Sequence, residues 1–407
     1  MSDCMVSASR TARLLCAMAS LAATGCAPFA TKEVVPPTKT NIAVARTPAI
    51  GGQDAVVLSR GRSGTGAAPE FLSVTLLPGR GMNTLQITAW IPGRGETGLL
   101  ASPTQDDAAT ILSGDAYGNH SFTMGGAFLV PFANRIRGKP TRDGKDIQVE
   151  WDKRTVTLPA NWVANMDGAP MAGHEAHAMH GLILDEKTDS ISTQKFDFGE
   201  SFTGIFHAGD FDHHWFSQND ITITTWLTGS VIDLQVTATN TGKQPEPMGI
   251  GWHPYFALPS GDRDHALLRI PATDVAEVNN YDDVFPSGRL LPVVGTPLDF
   301  NGLTGARLPD KLVDDSFTNL VRGADGSVTV ELRDARAKYG LRVIAVSPAI
   351  QAIQCYSPPD KKFVAIEPQF NLGDPFGKEW KGRDTGMVTL KPGESTTWHV
   401  KLELFIP

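Results

Sequence analysis

Apolar and polar residues alternate with a period of two along much of the chain, in short runs that turn-rich segments separate. The clearest runs are residues 221–227, 232–240, 327–332, 340–346 and 396–405. In the last run, Val400, Leu402 and Leu404 would share one face of a strand while Lys401 and Glu403 share the other. After the N-terminal region, no helical period is sustained for twelve residues. We therefore predict an all-β fold, with one large antiparallel β-sandwich as the preferred arrangement and two sandwiches as the alternative.

Composition agrees with a soluble globular protein that contains many turns. Hydrophobic residues make up 41% and charged residues 20% of the 407 positions, and there are 40 glycines and 28 prolines. This usage favours short strands and loops over long helices. The formal net charge of −8 offers no basic surface that could release counterions from a phosphate backbone. We predict no nucleic-acid partner, and composition leaves the oligomeric state open.

The first 26 residues have the pattern of a secretory signal. Arg10 and Arg13 precede an apolar run over residues 14–24 that is too short to span a bilayer comfortably. The ending "AATGC" resembles the bacterial lipoprotein box, in which the final cysteine, here Cys26, carries the lipid. We predict an exported protein that this lipid anchors on the periplasmic side of a bacterial membrane. A periplasmic protein without lipid and an unprocessed apolar N-terminus are the alternatives.

This interpretation divides the chain into a signal (residues 1–26), a flexible tether (27–50) and a folded domain (51–407). The tether contains a proline pair, threonines and lysines without periodicity, as expected of an extended linker. Of the four cysteines, Cys355 alone would remain in the folded domain once the signal is removed and Cys26 carries lipid. Neither a disulfide framework nor a cysteine-based zinc site can then be built.

Two stretches combine residues that could carry chemistry. Residues 249–258 read "GIGWHPYFAL", in which His253 is either a buried ring at a sheet corner or a proton donor. Residues 363–370 read "FVAIEPQF", in which an apolar run delivers Glu367 directly before Pro368. Because proline is poorly placed inside a sheet, we expect the strand to end there, with the carboxylate over a pocket at the sheet's edge. The alternative is an exposed glutamate at a strand terminus.

Five ordered motifs give these two stretches a family context. They are "ANRIRG" (133–138), "MHG" (179–181), "GIGWHPYFAL" (249–258), "FPSGRLLPVVGTPLDF" (285–300) and "AIEPQF" (365–370). Together they resemble the aldose 1-epimerase family, also called galactose mutarotases, over roughly residues 70–407. The resemblance implies a galactose mutarotase-like β-supersandwich. It also implies an enzyme that interconverts the α and β anomers of a free hexose without a cofactor.

That reaction needs one base and one acid. A base removes the proton of the anomeric hydroxyl while an acid protonates the ring oxygen, and after rotation about the C1–C2 bond the two roles reverse. We expect a carboxylate and a histidine on opposite sides of the sugar, with pKa values near the working pH. The resemblance implies that Glu367 is the general base and His253 the general acid, and that His180 is a second catalytic histidine that hydrogen-bonds the sugar.

The resemblance also implies a set of substrate-binding residues. Asn134 and Arg135 would bind sugar hydroxyls, and Asp314 would grip ring hydroxyls, with Asp315 as the alternative because "VDDSF" contains two aspartates. Tyr255 is expected to line the pocket. Trp252 either lines the pocket or packs in the core.

One departure from the family pattern lies between Lys145 and His180, where the chain carries a longer segment. It adds His174 and His177, so that histidines recur every third residue up to His180. Such an array could bind Zn²⁺ or Ni²⁺, but no carboxylate or thiolate ligand is fixed beside it. We predict no metal site there, and we interpret the separate cluster "HAGDFDHHW" (207–215) as turn and surface residues.

Other functions stay possible on the sequence. A hexose-phosphate 1-epimerase would need further cations, and Arg137, Lys139 and Arg142 lie near Arg135. A glycosidase could use Glu367 with Asp314, although the histidine motifs would then have no clear role. An exported carbohydrate-binding protein of the same fold would not need an acid–base pair.

Overall fold

The computed structural model describes residues 49–115, 117–162, 174–279, 281 and 283–407. The predicted signal, Cys26 and nearly all of the predicted tether lie outside these residues. The tether boundary at residue 50 is wrong by at least two positions, because Ala49 and Ile50 form a strand with Gln53 and Asp54. Ile50 packs in a small apolar cluster with Leu77 and other residues. Because its side chain is buried there, the end of the predicted tether belongs to the folded domain.

The strands of the first half of the described chain run up to Gly209. They are β1 (Ala49–Ile50), β2 (Gln53–Asp54), β3 (Val56–Ser59), β4 (Glu70–Leu77), β5 (Asn83–Ile91), β6 (Gly95–Gly98), β7 (Gly126–Leu129), β8 (Arg135–Ile136), β9 (Lys139–Pro140), β10 (Asp146–Trp151), β11 (Arg154–Pro159), β12 (Ala178–Met179), β13 (Ser190–Phe196) and β14 (Gly199–Gly209).

The strands of the second half complete both large sheets. They are β15 (Asn219–Thr228), β16 (Val231–Asn240), β17 (Glu246–Met248), β18 (Gly251–Ala257), β19 (Leu267–Arg269), β20 (Ala272–Val278), β21 (Pro286–Pro292), β22 (Ala306–Arg307), β23 (Val313–Leu320), β24 (Val328–Asp334), β25 (Tyr339–Ala345), β26 (Ala352–Ser357), β27 (Phe363–Gln369), β28 (Val388–Leu390) and β29 (Ser395–Phe405).

Helices are few and short. The described residues contain one α-helix, α1 (Gln105–Ile111), whose first turn is capped by the Thr104 side chain accepting a hydrogen bond from the Asp107 amide. Four single-turn 3₁₀ helices cover Ser121–Thr123, Arg263–His265, Ala335–Ala337 and Lys378–Trp380. In the described part of the chain, no helix has the length and apolar character needed to cross a membrane.

Two large antiparallel sheets form the body of the protein. One has nine strands in the order β13-β14-β15-β16-β29-β25-β24-β19-β22, and the other has eleven, in the order β21-β20-β23-β26-β27-β18-β7-β5-β4-β3 with β6 paired to β5. This arrangement confirms the predicted all-β supersandwich. All five alternating runs are strands or overlap strands of the nine-stranded sheet, namely β15, β16, β24, β25 and β29.

The core lies between the two sheets. Trp398, Val400 and Leu402 on β29 are fully buried and belong to one apolar cluster with residues of the eleven-stranded sheet such as Ile366. The indole of Trp398 also donates a hydrogen bond to the Pro368 carbonyl across the core, at 2.9 Å. Burying such large side chains is the main favourable term for the sandwich.

The end of the strand that carries Glu367 differs from the expectation. Strand β27 continues through Pro368 to Gln369, and Pro368 faces Ile353 in the β26–β27 register. Glu367 therefore lies inside the sheet between two neighbouring strands and is only 1% exposed. Neither the predicted sheet-edge position nor the exposed strand terminus is correct. Although proline lacks an N–H donor, its carbonyl still forms the bond from Trp398.

A second buried carboxyl lies elsewhere in the fold. Glu246 on β17 is 0% exposed, and its Oε2 accepts a hydrogen bond from Asn219 Nδ2 at 2.9 Å. Its Oε1 and Asn219 Oδ1 are buried without a hydrogen-bond partner among the described residues. Burial raises the pKa of Glu246 to about 8, so this side chain is mainly a neutral acid at pH 7.

Candidate active site

Strand register brings the chemical residues together on one face of the eleven-stranded sheet. Ser316, Gln354 and Glu367 are successive cross-strand partners on β23, β26 and β27. The β27–β18 register pairs Gly251 with Gln369 and Tyr255 with Ala365, and its continuation puts His253 beside Glu367. Because side chains alternate across a strand, His253 and Tyr255 share a face, and Trp252 lies on the opposite one.

One cavity of about 420 Å³ is lined from this face by Gln354, Glu367, His253 and Tyr255. All seven residues expected to act on or bind the sugar are in its wall, namely Asn134, Arg135, His180, His253, Tyr255, Asp314 and Glu367. Trp252 is not in the wall. It is fully buried in the core, and its indole donates to the Gly126 carbonyl at 2.9 Å.

His253 and Glu367 form a direct pair in this cavity. Nε2 of His253 lies 3.3 Å from Oε1 of Glu367, and both side chains are almost fully buried. Gln369 Nε2 donates to the other carboxyl oxygen at 2.9 Å. The expectation of opposite sides of the sugar is therefore wrong, because the two groups lie side by side on adjacent strands. A side-by-side pair can still serve both oxygens of an anomeric centre, since these oxygens share one carbon.

Burial shifts the two pKa values in opposite directions. Loss of hydration raises the pKa of Glu367 well above its ordinary value, and the nearby Asp314 raises it further. Loss of hydration also lowers the pKa of His253 to about 3. The expectation that both groups titrate near neutral pH therefore does not hold. Both shifts favour a pair without net charge that holds one proton, which can pass between Nε2 and Oε1.

His180 completes the histidine part of the wall. Its amide donates to the Asn134 carbonyl at 2.9 Å, and its backbone has a φ of 64°, unusual for a residue with a side chain. Its ring lies perpendicular to that of His253, with 4.9 Å between centroids, and against Phe122 at 4.7 Å. Burial lowers the pKa of His180 well below its ordinary value, so the ring is neutral and can donate a hydrogen bond at one nitrogen and accept one at the other.

A closed ring of four polar side chains faces this pair. Arg135 Nη1 donates to Asn134 Oδ1 at 3.1 Å, Asn134 Nδ2 donates to Gln354 Oε1 at 3.1 Å, and Gln354 Nε2 donates to Asp314 Oδ1 at 2.6 Å. Asp314 Oδ2 closes the ring at 3.5 Å from Arg135 Nη2. These bonds fix the amide orientations and hold a guanidinium and a carboxyl at the cavity wall.

The geometry distinguishes the two neighbouring aspartates. Asp314 is in the cavity wall and contacts Arg135. Asp315 instead accepts a hydrogen bond from the Tyr281 hydroxyl at 2.9 Å, and it faces Cys355 in the β23–β26 register. Asp314 is therefore the aspartate positioned to contact a ligand.

Sequence reasoning did not find several wall residues. They are Gln354 and Tyr356 on β26 together with Phe122, Trp162, Tyr281 and Phe363. Gln354 and Tyr356 are two positions apart, so a period-two pattern in "AIQCYS" could have placed them on one face. Their partnership with Glu367 and Asp314 still depends on strand pairing, which a single sequence does not reveal.

The five other histidines of the segments 174–180 and 207–215 have local contacts. His174 Nδ1 lies 3.0 Å from Asp283 Oδ1, and His177 Nδ1 lies 2.7 Å from the Glu175 carbonyl. His207 and His213 contact Asp220 and Asp210 at the surface, and His214 contacts the Thr157 carbonyl. Within the described ranges, no group of three or more His, Cys, Asp or Glu residues is arranged to hold a metal ion.

The fold and the cavity together define a β-supersandwich protein with a buried acid–base pocket. The sequence profile of the family described as aldose 1-epimerase matches residues 100–403. This chain belongs to the aldose 1-epimerase family. The uncharacterized protein YphB of Escherichia coli K12 is 26% identical over 295 residues, which cover 68% of this chain and 82% of YphB.

Solved structures agree on the fold. The GalM/aldose epimerase homologue from C. elegans superimposes with a TM-score of 0.62 at 16% identity, covering 86% of this chain and 98% of that one. Galactose 1-epimerase from Lactobacillus acidophilus NCFM gives 0.59 at 16% identity, covering 87% and 99%. At these identities the similarity establishes the supersandwich but no substrate.

Proposed function

We propose that this protein is an aldose 1-epimerase that interconverts the α and β anomers of a free hexose. The observation that carries the proposal is the buried pair of His253 and Glu367, 3.3 Å apart, in a cavity that Arg135 and Asp314 also line. A carbohydrate-binding protein would need the polar wall but not the pair. Membership in the aldose 1-epimerase family supports the same reaction.

The raised pKa of Glu367 and the lowered pKa of His253 favour the shared proton on Glu367 at rest. The proposed step begins once this proton has passed to Nε2 of His253, which leaves Glu367 ionised. Glu367 removes the proton from the anomeric hydroxyl O1, the C1–O5 bond breaks, and His253 donates its proton to O5. The product is the open-chain aldehyde, with Glu367 now protonated and His253 neutral. Rotation about C1–C2 presents the other face of the aldehyde, and the reverse transfers close the ring. The pair carries one proton throughout, so its net charge stays zero in the buried site.

The other wall residues hold the sugar. Arg135 offers guanidinium donors and Asp314 offers carboxyl oxygens. A sugar hydroxyl can therefore accept a hydrogen bond from Arg135 and donate one to Asp314. In this proposal the neutral ring of His180, perpendicular to that of His253, hydrogen-bonds the sugar near the ring oxygen. Tyr255 and Phe122 supply apolar surface for the ring carbons.

Charge in the cavity favours a neutral sugar over a sugar phosphate. Among the described wall residues Arg135 is the only lysine or arginine, and it already lies beside Asp314. Arg137 contacts Glu175 at 2.9 Å and stacks on a phenylalanine, and Lys139 and Arg142 are exposed. A phosphate dianion would therefore meet one cation, Arg135, whose positive charge Asp314 already balances. This positive charge is too small to bind a phosphate dianion tightly.

Polarimetry on freshly dissolved α-D-galactose and α-D-glucose tests the proposal. Wild-type protein should speed relaxation to the same final rotation, and Glu367→Gln should lower kcat by about 100-fold or more, with a smaller change in KM, because the amide keeps the shape but loses the base. Glu246→Gln is the matched control, because it makes the same substitution at a buried glutamate outside the cavity.

The result that would overturn the proposal is equally direct. If folded wild-type protein accelerates neither sugar but binds one of them by titration calorimetry, the protein is a carbohydrate-binding member of the family. If Glu367→Gln retains full activity, mutarotation does not use this carboxyl as its base.

A further inference from the structure

One buried histidine beside the cavity has no role in the proposed reaction. His177 is 0% exposed, and its ring lies against Phe285 with 4.9 Å between centroids. Its Nδ1 is 2.7 Å from the Glu175 carbonyl. A carbonyl oxygen only accepts hydrogen bonds, so Nδ1 carries the proton and Nε2 is left as an acceptor.

That acceptor has no partner in the described part of the chain. Nε2 of His177 is buried and makes no hydrogen bond there. Burial, together with the charges of Arg135 and Arg137, lowers the pKa of His177 to about 4. The ring therefore stays neutral at physiological pH and retains an unsatisfied lone pair, which is costly in a buried site.

A complementary donor lies on the neighbouring strand. Arg135 Nε is also buried without a hydrogen-bond partner among the described residues. In the β8–β12 register, Met179 faces Arg135 and Ala178 faces Ile136. Continuation of this register puts His177 opposite Arg137 and diagonal to Arg135 on the same face. Nε of Arg137 already lies 2.9 Å from Glu175 Oε1, so Arg135 is the neighbour whose Nε lacks a partner within the described ranges.

We propose that His177 is a positioning residue for Arg135, accepting a hydrogen bond from its Nε–H directly or through one water when a sugar occupies the cavity. Asn134 and Asp314 hold the two terminal nitrogens of the guanidinium, so a third contact at Nε would set the plane of the fork. A guanidinium held in one plane presents its remaining donors to sugar hydroxyls with less loss of entropy. The inference rests on the proposed sugar binding at this cavity.

A double-mutant cycle tests it. His177→Phe removes the acceptor but keeps a flat ring against Phe285, and Arg135→Lys keeps the positive charge but removes the Nε–H. In polarimetric assays, His177→Phe should raise KM for the hexose about tenfold with kcat changed less than about twofold. In the Arg135→Lys background the same substitution should change KM less than about twofold, because the donor is already absent.

Three further variants separate positioning from structural support. His177→Gln, whose amide oxygen can replace Nε2, should restore KM to within about threefold of wild type. His214→Phe is the matched control, because His214 also contacts a backbone carbonyl but lies outside the β8–β12 pair, and it should leave KM unchanged. His177→Met is a second acceptor-free variant for use if His177→Phe does not fold, which thermal unfolding reports.

The outcomes are distinguishable from failure of the proposed function. Equal effects of the acceptor-free substitution in the wild-type and Arg135→Lys backgrounds, or no recovery with His177→Gln, would overturn the positioning role even if mutarotation is fast. If the wild type binds hexose without turnover, the same cycle is read from dissociation constants measured by calorimetry. Absence of both binding and turnover would overturn both proposals.

Discussion

Glu246→Gln should make the protein less sensitive to alkaline pH without affecting the cavity. Glu246 is fully buried and accepts a hydrogen bond from Asn219 Nδ2, while Oε1 and Asn219 Oδ1 have no partner among the described residues. Protonation of Oε1 supplies the donor that Asn219 Oδ1 lacks, and we expect a cyclic acid–amide pair. A glutamine amide reproduces the same donor and acceptor but does not titrate.

The magnitude follows from the pKa difference between folded and unfolded chains. The pKa of Glu246 is raised to about 8 in the fold, against an ordinary value of 4.5. Below pH 4.5 Glu246 is protonated in both the folded and the unfolded chain, and its full contribution to the free energy of unfolding is present. Between the two values the folded protein holds a proton that the unfolded chain has lost, so the free energy of unfolding falls as pH rises, by at most about 1.4 kcal/mol per pH unit. From pH 5 to pH 8 the upper limit is about 4 kcal/mol.

Urea unfolding of both proteins at pH 5, 6.5 and 8 measures this effect. The difference between wild type and variant should be near zero at pH 5 and should favour Glu246→Gln increasingly toward pH 8. Other carboxyls with raised pKa values, such as Asp374, titrate in both proteins and cancel in the difference. A difference that stays constant over this range would refute the assignment of a neutral Glu246 in the fold.

Two further predictions concern the site and the N-terminus. Because burial lowers the pKa of His253 to about 3 and raises that of Glu367, the pair should hold one proton over a wide range, and kcat for mutarotation should be constant from about pH 5 to pH 7. An acid limb with a midpoint near 6.5, the ordinary value for histidine, would contradict this. If Cys26 carries lipid, as the sequence predicts, Cys26→Ser should move the full-length protein from the membrane fraction to the soluble fraction in a bacterial host; unchanged fractionation would contradict the lipid anchor.

The alternating pattern was most informative for the sheet that does not carry the site. All five runs with period two belong to the nine-stranded sheet, and in β16 buried and partly exposed residues alternate strictly. Strands β18 and β27 of the other sheet are buried at nearly every position. One face of these strands packs in the core and the other forms the cavity wall. Neither face is exposed to solvent, so the sequence of these strands lacks the regular alternation of apolar and polar residues.

The sequence predicted seven positions that line one cavity. It did not predict their mutual geometry. Pro368 indicated a strand end, yet β27 continues to Gln369, because the sheet gives the flanking residues enough hydrogen bonds and packing to accommodate one proline. The expectation that His253 and Glu367 lie on opposite sides of the sugar was also wrong. Strands β18 and β27 are neighbours, and their register puts the two residues side by side.

The sequence by itself therefore determined the all-β class, the family and the residue types of the proposed acid–base site, because these depend on local patterning and on motifs of a few residues. Tertiary structure decided that His253 and Glu367 touch, that Asp314 rather than Asp315 lines the cavity, and that Trp252 belongs to the core. It also decided the protonation states, since a pKa depends on how completely the surrounding fold removes water from the charged group.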